Sequence, residues 1–275
     1  MKIRTIKKLS VSAALLVFLV IILIPLYWSV VLSFDSRATT ALPPFRFLPH
    51  EFTLRNYEFA FTAIPLIRLY FNTIFVTMVN IIISVTVAMM CGYAFAKGEF
   101  FGKRFWFIFM LAVMMIPFES RLIPLFLQYH NWGLLNTWWP LILGSFSYVF
   151  GTFFARQNIS AIPDSLRESA FLDGAGEWRI FISIIIPLSK PIMATLSILL
   201  LVANWNMYLW PLVTIRSSNL QMLSVGVAMF NAQQNDILFG PRMAVAVISA
   251  IPLTIVFLIL QKYIVQSIAL SGIKQ

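Results

Sequence analysis

The stretch Leu69-YFNTIFVTMVNIIISVTVAMMCGYAF-Ala96 runs for 28 residues without an Asp, Glu, Lys or Arg. A helix needs about 20 predominantly apolar residues to cross a hydrocarbon layer of about 30 Å, so this run predicts a membrane-spanning helix. Outward from it, Leu9 to Phe34, Pro191 to Ile215 and Met243 to Gln261 are also charge-free and long enough. Leu134 to Phe154 is the most apolar part of the uncharged interval between Arg121 and Arg156. Phe105 to Phe118 is short, and it spans only if Lys103 and Arg104 snorkel at one end and the helix continues past Glu119 at the other. The expectation is an all-α polytopic membrane protein with six spans near 9–34, 69–96, 103–123, 134–154, 191–213 and 243–264.

The whole chain agrees with that reading. Of 275 residues, 60% are hydrophobic and 11% charged, against roughly a quarter charged in soluble domains, which excludes an ordinary soluble fold. The net charge of +10 is dispersed between apolar runs, so it reads as membrane topology and not as a nucleic-acid surface. Thirteen of the 20 Lys and Arg fall in the termini and alternate loops that the positive-inside bias makes cytoplasmic, and seven in the others. Both termini are then cytoplasmic. Met1 to Lys8 with the apolar run behind it resembles a signal peptide, but the run is too long for an h-region and no small-x-small site follows, so an uncleaved first helix is expected. The Pro-rich segment 35–68 is read as an external loop with short interfacial elements. One cysteine, Cys91, allows neither a disulfide framework nor a thiolate metal cluster, and no metal site is expected.

One cytoplasmic segment, 156–190, does not suit a bilayer. From Arg156 to Arg179 it holds four acidic and three basic residues, whereas a helix lying on anionic lipid should be basic. Ser165 and Glu168 fit a capping box behind Pro163, and Asp173-Gly174 supplies a stop, which predicts a helix of about two turns with Leu166 and Ala170 on one face. A second helix should run from near Ala175 to Pro187. Small Ser169 and Ala170 beside charged Glu168 suit an element that enters a cleft closely; on charge pattern alone a solvated loop is the competing reading.

The run Glu168-Ser169-Ala170-Phe171-Leu172-Asp173-Gly174-Ala175-Gly176, with Phe181, Ile184 and Pro187-Leu188-Ser189-Lys190-Pro191, closely resembles the EAA loop of membrane subunits of bacterial ABC importers, in the form of the maltose-permease-like carbohydrate-uptake family. Ile116-Pro117 to Ile123-Pro124 and Trp205-Asn206-Met207-Tyr208-Leu209-Trp210-Pro211 extend the resemblance, which covers almost the whole chain. Ser169, where the family usually has Ala, is the one departure. The resemblance implies a non-enzymatic permease of the bacterial cytoplasmic (inner) membrane that forms half of a translocation pathway for a sugar or related polyol. It implies ATPase coupling through Glu168, Ser169, Ala170, Asp173 and Gly174, and as partners a second homologous permease subunit, a dimer of cytoplasmic ATP-binding subunits, an extracytoplasmic solute-binding protein and membrane lipid. ATP and Mg would be used by the ATPase, and no cofactor by this chain, which has no Gly-x-x-x-x-Gly-Lys-Ser/Thr loop.

For the path itself, Asn204, Trp205, Asn206 and Tyr208 concentrate amides and rings at helical spacing, with Asn204 and Tyr208 on one face and Asn206 and Trp210 on another. They suit sugar hydroxyls and ring faces, and equally an aromatic belt at a membrane interface. Asn72, Asn80 and Ser84 can face the path or cross-link helices, the latter being the simpler expectation. Glu119 and Arg121 are expected to pair and end the third span; an unpaired Arg121 on the path would instead suit glycerol 3-phosphate or another anionic polyol. The loop from Arg216 to Arg242, with Asn231, Gln233, Gln234 and Asn235, is polar enough to touch a binding protein, although a solvated loop is the simpler expectation. A secondary transporter would need a coupling-ion site, and no clear span holds an internal charge. A membrane enzyme would have to work with His50, His130 and Cys91 alone.

Overall fold

The computed structural model describes residues 2–37, 45–233 and 239–272. Pro43, Pro44, Gln234, Asn235 and Lys274 lie outside the described residues, as do the side chains of Lys2, Arg4, Lys7, Lys8, Gln233 and Lys262. In chain order the helices are α1 (Lys2–Ser33), α2 (Arg55–Ala63), α3 (Leu66–Lys97), α4 (Lys103–Met114), α5 (Phe118–Asn131), α6 (Trp139–Leu143), α7 (Val149–Ser160) and α8 (Asp164–Leu172). They continue with α9 (Glu177–Ile180), a π turn over Phe181–Ile185, α10 (Ile186–Leu188), α11 (Lys190–Trp205), α12 (Leu209–Thr214), α13 (Leu223–Gln233) and α14 (Phe239–Gly272). Among the described residues the only extended pairing is one antiparallel bridge, Asp35 with Phe52, so the expected all-α class holds.

The chain forms two compact units, Met1–Ile67 with Gly226–Pro252 and Arg68–Val225 with Leu253–Gln275. In the first, α1 exposes apolar side chains from Val11 through Leu26, as a helix solvated by lipid does. Its end is tied down by the segment that follows. Tyr57 shares a 2.7 Å hydrogen bond with Ser33, the Asn56 amide donates to the Ser33 and Asp35 carbonyls, and the Asp35 carboxylate accepts the amides of Arg37 and His50. The described part of the expected external loop is therefore ordered by its own polar groups, with Phe34 stacked on Phe52.

The second unit is built around α3. Ala88 and Gly92, one turn apart on α3, meet Gly151 and Ala155, one turn apart on α7; a Cβ on Gly92 would lie 2.5 Å from that of Ala155. Small residues at this spacing let two helix backbones approach in lipid, where there is no hydrophobic drive between helices. Around this crossing Val85, Met89, Ile159, Ile180, Phe181, Ile185 and Leu196 form a buried cluster.

The spans differ from the sequence-based expectation. Among the described residues three helices are long and apolar enough to cross a membrane (Val11–Ser33, Leu66–Lys97 and Phe239–Ile259), rising to five if two bent pairs each count once. The expected third span, 103–123, is not straight: α4 and α5 meet at 95° where Pro117 ends the helical path. The expected fourth, 134–154, divides into α6, a 3-10 turn at Gly144–Ser147 and α7, with Tyr148 out of helical conformation. The expected fifth stops at Trp205 and resumes at Leu209. Uncharged length alone, the basis of the sixfold expectation, does not register these breaks.

Candidate functional site

The breaks border a half-open cavity of about 630 Å³ within the second unit. Residues from α3, α5, α6, α11 and α12 converge on it. Asn80 reaches from the middle of α3, its amide donating to the Leu141 carbonyl at 3.2 Å and to Asn204 Oδ1 at 2.7 Å, while the Asn204 amide donates to the Leu200 carbonyl in its own helix. Asn80 Oδ1 is buried and accepts nothing from the chain. Ser84 also faces the cavity and donates to the Ser145 carbonyl at 2.9 Å. Trp210 lies in the wall, its indole N–H committed to the Pro140 carbonyl and its ring packed on Phe118 and Tyr129. Arg121 and Tyr208 complete the lining from more open positions.

Of the residues singled out in the sequence for the path, Asn204, Tyr208 and Arg121 line this cavity; Trp205, Asn206 and Glu119 do not. The helical spacing argument fails beyond Trp205, because Asn206 caps α11 and the chain unwinds before Leu209. Asn206 bonds back to the Val202 carbonyl, and Trp205 packs on Tyr70. Glu119 and Arg121 form no ion pair: the pairs found among the described residues are Arg37–Glu51, Lys97–Asp164 and Arg167–Glu177. The two side chains leave the first turn of α5 two positions apart, and residues so spaced do not face each other. Asn72, Asn80 and Ser84 do cross-link segments, and Asn80 and Ser84 also face the cavity. Trp210, which the spacing paired with Asn206, lines the cavity without it, and Asn80 both cross-links and lines; Tyr129 is the contributor that no sequence signal marked.

At the other end of the unit stands α8. It begins one residue before the expected cap, with Asp164 in its first turn and Pro163 at the N-cap, and neither Ser165 nor Glu168 makes a capping bond. The Lys97 ammonium ties this end to α3 without capping it, donating at 2.7 Å to both the Asp164 carboxylate and the Ile162 carbonyl. The helix ends as the sequence predicts. Gly174 adopts φ +79°, its amide bonds to the Phe171 carbonyl and that of Ala175 to the Ala170 carbonyl, the paired closure of a Schellman turn. Arg167 stacks over Phe171 and pairs with Glu177, which also accepts from the Tyr93 hydroxyl. Lys97 beside Asp164 holds that carboxyl below its ordinary range, and Arg167 does the same for Glu177. The helix buries none of its own residues; Glu168 and Ser169 are exposed, and Leu172 is 89% exposed. A notch of about 200 Å³ beside it is lined by Ala170, Asp173 and Arg179.

A half-open cavity among broken apolar helices, with a few polar side chains in a mainly apolar lining, and a short exposed helix that presents apolar side chains such as Leu172 suit a membrane transport subunit that works with others. The chain belongs to the family described as binding-protein-dependent transport system inner membrane component, whose model matches residues 84–270. It is 32% identical to the diacetylchitobiose uptake system permease protein NgcG of Streptomyces coelicolor, over 94% of this chain and 87% of that one. The arabinooligosaccharides transport system permease protein AraQ of Halalkalibacterium halodurans is 33% identical over 83% and 82%, and the sn-glycerol-3-phosphate transport system permease protein UgpE of Brucella abortus 26% over 96% and 97%. Among solved structures, a chain of a bacterial ABC transporter involved in the import of the acidic polysaccharide alginate superposes with a TM-score of 0.82 at 26% identity, covering 94% of this chain and 96% of that one. The resemblance read from the EAA-like run is thereby borne out: this is an ABC-importer permease of the inner membrane, in a family that works with a binding protein and an ATPase.

Proposed function

We propose that this chain is one of two homologous permease subunits forming a path for a neutral sugar or related polyol, with both termini cytoplasmic. Solute arrives from an extracytoplasmic binding protein, and a dimer of cytoplasmic ATP-binding subunits, using ATP and Mg, grips α8. Glu168, Ser169, Ala170, Asp173 and Gly174 form the coupling element. The observation that carries the substrate side is Asn80 Oδ1, a buried acceptor beside the cavity with no donor from the chain. A solute hydroxyl satisfies it once the amide turns toward the cavity, and leaving such a group unpaired costs about 1–3 kcal/mol. Tyr208 and Tyr129 add rings against which the CH face of a sugar packs. The names of NgcG and AraQ, both oligosaccharide systems, point the same way.

One observation favours a second reading. Arg121 lines the cavity without a carboxylate partner, and a guanidinium matches phosphate in fork geometry. UgpE is named for sn-glycerol 3-phosphate. Uptake by the reconstituted importer distinguishes the two. For a neutral sugar, Asn80→Leu raises the KM about tenfold, the effect of about 1.4 kcal/mol, and Arg121→Gln changes it less than about twofold, as expected for loss of an exposed charge with no partner. For a phosphorylated polyol the order of the two effects reverses. Unchanged uptake of every solute in both variants would remove the cavity from the path.

A further inference from the structure

Away from the cavity and α8, a second hollow of about 430 Å³ is lined by Phe95, Lys103, Arg104, Phe107, Ile108 and Arg156. Half of these residues are basic, and none has an acidic partner among the described residues. The Arg156 guanidinium lies 3.8 Å above the centre of the Phe107 ring, a contact that holds the side chain in place and leaves its edge donors unused by the chain. Lys103 is anchored by the Gly98 carbonyl at 2.8 Å, which orients its charge without neutralising it. Arg104 is exposed. Both Lys103 and Arg104 open α4, so they add to the positive end of its dipole. Glu99, in the neighbouring turn, is exposed and pairs with none of them. Immediately along α4 the surface turns apolar and open: Phe105, Trp106, Ile108 and Phe109 are all more than half exposed.

We infer that this hollow binds the phosphate headgroup of an anionic phospholipid, with the acyl chains lying along the exposed apolar side of α4. The inference rests on the proposed orientation, which places Lys103, Arg104 and Arg156 on the cytoplasmic face. Three converging cations above an apolar floor match one phosphate and two hydrocarbon tails. A soluble anion uses only the upper half of that surface, whereas a phospholipid uses both the cations and the apolar strip beside them. Basic recesses between helix ends on the cytoplasmic side are suited to such headgroups, and each nearby Lys or Arg contributes about 1 kcal/mol toward an anionic surface.

The test uses the assembled importer in nanodiscs of phosphatidylcholine with a minor fraction of phosphatidylglycerol, and native mass spectrometry to count each lipid retained. Wild-type complex should retain phosphatidylglycerol preferentially, and Arg104→Gln and Arg156→Gln should each lower the preference about fivefold, the factor equivalent to about 1 kcal/mol. Arg156→Lys, which keeps the charge, should retain most of it and reports on folding. Equal preference in wild type and in the Gln variants overturns the site. Calorimetric binding of inorganic phosphate that the Gln variants abolish, with no lipid preference, reassigns it to a soluble anion. Loss of the ATPase from the Gln variants with lipid preference intact reassigns it to a protein contact. Orientation is read separately: in a Cys91→Ser background, Arg104→Cys should react with an impermeant maleimide only from the cytoplasmic side. Labelling from outside would refute the orientation whatever lipid is retained.

Discussion

Gly174 and Gly176 stand two residues apart and are not equivalent. A Cβ on either would meet nothing within 4 Å, so space does not distinguish them; backbone conformation does, Gly174 having φ +79° and Gly176 φ −75°. An L side chain in the left-handed region costs about 1–2 kcal/mol. Gly174→Val should therefore loosen the end of α8 and lower the ratio of solute moved to ATP hydrolysed in the reconstituted importer, with membrane insertion unchanged, whereas Gly176→Ala should behave as wild type. Equal coupling ratios in the two variants would remove the turn from the coupling element. Gly174 was legible in the sequence because a glycine after a polar residue at the end of a short amphipathic run has few other uses. Asn80 was not assigned to the path because a buried amide in an apolar helix serves packing and binding alike until its neighbours are known, and Asn206 misled because regular spacing presumes an unbroken helix.

At the scale of elements, α8 is held by charges and α3 by small residues, and the two respond to different perturbations. Asp164 and Glu177 have lowered pKa values, each through a cation that binds the ionised form. Their contribution is complete above the ordinary carboxylate range and is lost as pH falls through the lowered values. Coupling of uptake to hydrolysis should thus be flat near neutrality and decline only on acidification below the ordinary carboxylate range, measured in vesicles clamped on the cytoplasmic side. Lys97→Glu should break the anchor of α8, and the exchange Lys97→Glu with Asp164→Lys should restore part of the coupling; failure of the exchange would show that the Ile162 carbonyl, and not the ion pair, matters at Lys97. The α3–α7 crossing answers to volume. Gly92→Ala places a methyl 2.5 Å from Ala155 Cβ and 2.9 Å from the Arg156 amide nitrogen, so it should destabilise the purified protein by about 1–3 kcal/mol of overpacking, read as an earlier loss of tryptophan fluorescence on heating. The long helices α1, α3 and α14 were legible because charge-free length is a direct property of sequence. The breaks between α4 and α5 and between α6 and α7 were not, because Pro117 and Tyr148 interrupt a hydrophobic run without adding a charge.

For the molecule as a whole, transport needs the cavity and α8 to respond to each other, and the chain between them is α9, the π turn and α10–α11. A π turn carries one residue more than the α-helical path it replaces. The turn therefore holds a residue on which the helices either side do not depend: deleting one residue within Phe181–Ile185 lets the segment rewind as α-helix with both flanks close to their register, whereas one residue lost from a regular α-helix turns everything on one side by about 100° about the axis. Glu177 would keep its reach to Arg167 and Tyr93, and the cavity walls in α11 and α12 their place. A single missing codon is tolerated here and not in the first turn of α11, where it would separate solute recognition from drive and leave a permease that still presents its cavity to the solute and no longer answers to its engine.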